Sequence, residues 1–162
     1  MNAKVVWQQR MSFDASADSG FHLPLGTDPD VGGDHDGFRP MELIALGLAG
    51  CTAMDVISIL QKKRQQVTRF EVATELGRAQ THPKVFTDAT LEYRVTGHDV
   101  DEAAVRRAIE LSATRYCPAQ AMLGQVMSIS MQYVIFAEAA EGEPQVVTRG
   151  ALIIPALEPP VP

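Results

Sequence analysis

Along the chain the apolar positions fall first into a period of two, then into an unbroken run, then back into a period of two. Ala3, Val5, Trp7, Met11 and Phe13 share one face, interrupted at Gln9, while Lys4, Gln8, Arg10 and Ser12 share the other. That alternation predicts a half-buried strand over residues 3–13. The turn-rich residues 14–20, followed by Phe21, Leu23 and Leu25, predict a returning strand and so a hairpin. Residues 26–37 are dominated by Gly and Asp and predict a mobile loop.

From Met41 to Leu60 nearly every residue is apolar or small, the exceptions being Glu42, Thr52, Asp55 and Ser58. Pro40 suits the first turn of a helix, and Lys62-Lys63-Arg64 suits the negative end of the helix dipole. Such a helix is about 30 Å long, and being apolar nearly all round it should be buried nearly all round. Near its middle lies Gly47-Leu48-Ala49-Gly50-Cys51. Each interior glycine costs about 1 kcal/mol relative to alanine, so close approach of another backbone beside Cys51 is expected. The run is also long enough to span a bilayer. Asp55 would then sit near the apolar centre, where a carboxylate is costly, and no second such run follows. A core helix is the preferred reading, with no membrane partner.

Beyond the helix, Phe70, Val72, Thr74 and Leu76 alternate, as do Ala89, Leu91, Tyr93 and Val95 with Asp88, Glu92 and Arg94. They predict a second hairpin with one solvated face. Acidic residues 99, 101 and 102 mark a helix start; Val105, Ala108, Ile109, Ser112 and Tyr116 form its inner face. Pro118 interrupts it, a short helix follows, and Ile129, Met131, Tyr133 and Ile135 mark a last strand. This order predicts an α+β fold with antiparallel sheet. Residues 139–162 carry five prolines and an isolated apolar run, Ala151 to Ile154. They read as a Pro-rich C-terminal extension whose apolar run docks on its own or a neighbouring subunit.

A length of 162 residues suits one domain with a real core. A net charge of -6 argues against nucleic acid as a partner. The first residues lack an apolar signal core, so a cytoplasmic location is expected. In a reducing compartment the two cysteines are free thiols, a metal pair or a redox pair. Neither they nor the four histidines fall at metal-ligand spacing, so no metal is expected.

A thiolate is the reactive form of cysteine. Cys117, in Tyr116-Cys117-Pro118, precedes a short helix whose N–H groups and dipole favour a negative sulfur. Cys51 sits mid-helix with Asp55 one turn on, which opposes ionisation unless a cation compensates; Arg10 and Arg39 are the candidates. Without such a cation, a cysteine in an apolar helix is a small inert hydrophobe.

The combination Pro40-Met41-Glu42-Leu43, then Gly50-Cys51-Thr52-Ala53, then Tyr116-Cys117-Pro118 resembles the OsmC/Ohr family, the osmotically inducible protein C and organic hydroperoxide resistance proteins. The likeness covers roughly residues 1–138. It implies an intertwined homodimer in which antiparallel sheets wrap around long buried central helices. It also implies thiol peroxidation without metal or other cofactor. Cys51 would attack the peroxide substrate and become a sulfenic acid, and Cys117 would condense with it to a disulfide. An external dithiol, such as a lipoyl group or a small thiol, would reduce that disulfide. Arg10 matches the assisting arginine of the family, with Arg39 the fallback. The family's paired acid falls where this chain has Met41. Glu42 is next to it but points about 100° away around a helix, so the acid role passes to a displaced Glu42, to another acid such as Asp55, or is lost. Two alternatives accompany the peroxidase: a non-catalytic or weakly catalytic stress-response binding protein, and a thiol-transfer enzyme using the same residues.

Overall fold

Arg10 and Met11, and not residues 14–20, turn the first hairpin. In the computed structural model, which describes residues 1–139 and 142–154, β1 (Ala3–Gln9), β2 (Ser12–Ala17) and β3 (His22–Leu25) form an antiparallel sheet in that order. A bulge between Trp7 and Gln9 shifts the pairing, and Arg10 turns the chain at φ 47°, a left-handed conformation uncommon outside glycine. The alternation read through Met11 and Phe13 therefore belongs to two strands. All of β1 is exposed within the chain, Trp7 by 62 %. This sheet belongs to the first of two units, Met1–Leu46; the second begins at Gly47.

The Gly/Asp-rich segment of the first unit is tied down, contrary to the expectation of a mobile loop. It contains a 3-10 turn at Pro29–Val31. The Ser12 hydroxyl donates to Asp36 at 2.5 Å, and the amides of Gly26 and Phe38 bond to Phe38 and Pro24 carbonyls at 3.1 and 3.0 Å. A Cβ at Gly37 would lie 2.6 Å from the Pro24 backbone, so only glycine allows this approach.

The helix α1 (Pro40–Lys62) forms as expected, but one chain covers a single stripe of it. Its buried residues are Leu48, Ala49, Thr52, Val56 and Leu60, spaced about one turn apart. Only 28 % of its most apolar stretch is buried. Among the described residues, Gly47 and Gly50 meet no atom within 4 Å of where a Cβ would stand, and Met54 is 74 % exposed. The predicted all-round burial and close backbone are therefore not supplied by the described residues of the chain.

In the second unit β4 (Gln66–Arg78), β5 (Phe86–His98), β6 (Ser128–Ala137) and β7 (Gln145–Leu152) form one sheet in sequence order. β4–β5 and β6–β7 are antiparallel, but β5–β6 is parallel, a departure from the antiparallel expectation. The chain leaves β5 through α2 (Glu102–Leu111), a π-turn (Ser112–Tyr116) and α3 (Pro118–Leu123) before returning; such a crossover is what parallel pairing requires. Asp101 caps α2, accepting from the Ala103 and Ala104 amides at 3.1 Å. Leu91, Tyr93 and Val95 of β5, Tyr133 and Ile135 of β6, Val105 and Ile109 of α2, and the buried stripe of α1 close the core. Part of the C-terminal extension is β7, and Leu152 and Ile154 pack on this core. The Pro-rich residues 155–162 lie outside the described residues.

Candidate active site

The two thiols meet. Cys51 Sγ, Cys117 Sγ and a carboxylate oxygen of Asp55 all lie within 4.8 Å of one another. Cys51 and Asp55 share a face of α1 because they stand one turn apart. Cys117 reaches them from the end of the π-turn, where its extended backbone (φ -80°, ψ 102°) caps α3 ahead of Pro118. A π-turn widens the helix by one residue, a feature often found at functional sites. Here it ends with the Cys117 amide bonded to the Ser112 carbonyl at 2.9 Å.

The sulfurs differ in surroundings. Cys51 is half-buried, whereas Cys117 is 3 % exposed. The Gln120 amide donates to Cys117 Sγ at 3.4 Å, the interaction expected from a helix start. It does not prevail. Burial first, then the hydrogen bond to Cys51, push the Cys117 thiol up to about 12. The expectation that Cys117 is the thiol favoured as an anion is thus overturned: desolvation of a buried charge outweighs one N–H donor.

Behind the sulfurs runs a line of buried hydroxyls. Thr52 Oγ1 lies 2.7 Å from the Tyr93 hydroxyl and 2.9 Å from Ser112 Oγ, and the Ser112 hydroxyl donates to Asp55 Oδ2 at 3.0 Å. Each hydroxyl has one proton, so the carboxylate at the end fixes the direction of the whole line: Tyr93 to Thr52 to Ser112 to Asp55. Burial pushes the Tyr93 pKa well above its ordinary value, the Thr52 hydrogen bond opposing only in part. Beside Tyr93 lies the side chain of Gln120, which is 2 % exposed and whose amide N and O have no hydrogen bond of regular geometry among the described residues.

The other predicted residues lie in the first unit. Arg10 is 58 % exposed and donates to Asp34 at 2.7 Å. Arg39 is bonded to Asp28 and, at 2.8 Å, to Glu42. Glu42 also accepts from the Arg39 amide at 2.9 Å, the reciprocal half of a capping box that fastens the start of α1. These bonds to Arg39 hold the Asp28 and Glu42 carboxyls below the usual range and raise the Arg39 pKa.

Sequence reasoning found both thiols but missed Thr52, Tyr93, Ser112 and Gln120 as a group. The signal was present in part: Thr52 and Asp55 interrupt the apolar helix, and Tyr93 and Ser112 stand at inward-facing positions. Cys51, Asp55 and Cys117 are the one trio of acidic or sulfur donors gathered closely enough among the described residues to hold a cation. With Cys117 held as a thiol, the set favours proton and sulfur chemistry.

The family model of OsmC-like proteins matches residues 33–132, which include both cysteines. This chain belongs to the OsmC-like family. YhfA of Escherichia coli K12 is 36 % identical over 137 residues, 85 % of this chain and 99 % of its own. Among solved structures, a hypothetical protein from Aquifex aeolicus is 25 % identical with a TM-score of 0.74, covering 85 % of this chain and 97 % of its own. An organic hydroperoxide resistance protein OsmC from Legionella pneumophila is 16 % identical with a TM-score of 0.61, covering 85 % and 96 %. The OsmC-like fold inferred from the thiol motifs is therefore the fold observed.

Proposed function

We propose that this OsmC-like protein is a thiol peroxidase that reduces organic hydroperoxides or hydrogen peroxide. The observation that carries the reading is the pairing of an accessible thiol, Cys51, with a buried thiol, Cys117, within 4.8 Å. The Cys51 thiolate attacks the outer peroxide oxygen, the O–O bond breaks, and an alcohol or water leaves with a proton. The resulting sulfenic acid is closed by Cys117 to a disulfide, releasing water. An external dithiol, a lipoyl group or a small thiol, then returns both sulfurs to thiols. The fold shared with the Legionella hydroperoxide resistance protein supports this reading. The resemblance gives the compensating cation to Arg10, with Arg39 as fallback and Glu42 beside it; within the first unit Arg10 is paired with Asp34, and Arg39 with Asp28 and Glu42.

Stopped-flow mixing of fully reduced protein with cumene hydroperoxide and with hydrogen peroxide tests it. One equivalent of peroxide should yield one Cys51–Cys117 disulfide, and Cys51→Ser should abolish consumption. If neither peroxide oxidises Cys51, the weakly catalytic binding protein is the better reading. The observation favouring that second reading is that Met41 stands where the resemblance puts an acid, while Glu42 is already engaged as a helix cap.

The working unit is a homodimer. The uncovered face of α1, with Leu46, Gly47, Gly50 and Met54, supports a second copy as its cover: an apolar helix face left in water is costly, and paired glycines admit a close backbone. A reducing, cytoplasmic compartment fits two free thiols, and the acidic net charge argues against nucleic acid.

A further inference from the structure

We propose that Asp55 is the proton acceptor for Cys117 in the step that closes the disulfide. The inference rests on the peroxidase reading for its place in a cycle, but its geometry stands apart from any peroxide. Cys117 is buried, so its proton has no direct route to solvent. A carboxylate oxygen of Asp55 lies within 4.8 Å of both sulfurs, a direct contact or at most one water away, which is the working range of a general base. Ser112 donates to Oδ2 at 3.0 Å, and an ionised carboxylate has about four lone-pair sites, so the carboxylate can still accept a proton from the sulfur. Tyr93, the other titratable side chain in the hydroxyl line, has a pKa pushed up by burial and cannot serve as a base near neutrality.

The step balances without another reactant. Asp55 takes the proton from Cys117, whose sulfur attacks the Cys51 sulfur with the freed electron pair. The S–S bond forms, the Cys51 S–O bond breaks, and the departing hydroxide recovers the proton from the Asp55 carboxyl as it leaves as water. The carboxylate ends ionised, ready for the next turnover. One residue thus acts as base and then as acid.

A purely structural role is the competing account: Asp55 would do no more than receive the Ser112 hydroxyl at the end of the line. Asparagine does that equally well through its carbonyl oxygen, but it cannot take a proton. The test is therefore Asp55→Asn in the full chain, followed without peroxide. One equivalent of 5,5′-dithiobis(2-nitrobenzoate) loads Cys51, and a second thiolate release at 412 nm reports attack by Cys117. In Asp55→Asn the first release should be as fast or faster, because a negative charge beside Cys51 is gone. The second should slow by about 100-fold or more and should then rise about tenfold per pH unit from 7 to 9, as hydroxide replaces the missing base. Asp55→Glu should recover part of the rate.

Closing at the wild-type rate in Asp55→Asn overturns the inference. So does wild-type closing that itself climbs tenfold per pH unit over that range, an outcome that needs no variant to fold. Should peroxide leave Cys51 untouched while closing still depends on Asp55, the peroxidase reading fails and this one stands.

Discussion

Cys117 is the residue at which burial decides the chemistry. Its pKa is pushed from the ordinary 9.0 up to about 12. The unfolded chain therefore releases this proton at lower pH than the native one. The stabilisation is present in full below pH 9 and is lost progressively as pH rises toward 12. Urea midpoints measured from pH 8 to 10.5 should fall with pH, and Cys117→Ser should flatten part of that fall. An unchanged slope in the variant would mean that the thiol is not held protonated. The two cysteines were legible in the motifs, but the direction of the Cys117 shift was not. A helix start can be read from Pro118, whereas the 3 % exposure of Cys117 is a result of tertiary packing, which no local motif records.

At the scale of elements, the cap of α2 carries a simple expectation. Asp101 satisfies two amides at the helix start, and a cap of this kind is worth about 1 kcal/mol. Asp101→Ala should lower unfolding free energy by about that amount in urea melts, with no loss of the thiols' ability to pair. A change well under that size would show that α2 is held by its buried face alone. α2, β4, β5 and β6 were legible because each buries one face, and a buried face imposes its period on the sequence, whereas α1 was legible as an unbroken apolar run. The hairpin at Arg10 was hidden because its bulge lets the alternation run on through the turn. Nothing in an alternating pattern tells strand direction, so the parallel β5–β6 pair was hidden as well. β7 escaped because Gly150 and flanking prolines disguise it. That glycine has a reason to be there: a Cβ would stand 2.4 Å from the Tyr133 hydroxyl.

For the whole molecule, the open face of α1 leads to an expectation about assembly. The protein should sediment as a dimer at micromolar concentration, with an obligate interface larger than about 2,000 Å². Met54→Lys, at a position 74 % exposed in the single chain, should cost an isolated chain almost nothing yet shift the assembly toward monomer. A well-behaved wild-type monomer in sedimentation velocity would remove the dimer. This expectation grew from the same apolar run that first marked the helix. A sequence records that a surface must be covered, but not whether the cover comes from its own chain.

A sheet grows only at its rims, and β7 moves one of them. By pairing along β6 from Met131 to Ala137, it spends the hydrogen-bonding side that β6 would otherwise offer to a newcomer. The rims of this sheet are β4 and β7, so any strand that another chain adds must come alongside one of those two. Cutting the chain after Ala137 would restore β6 as an open margin, a surface on which strands of other molecules can accrete. The extension, read in the sequence as a tail whose apolar run docks on its own or a neighbouring subunit, is thus a selvedge: it covers the margin of β6 and becomes the rim in its place.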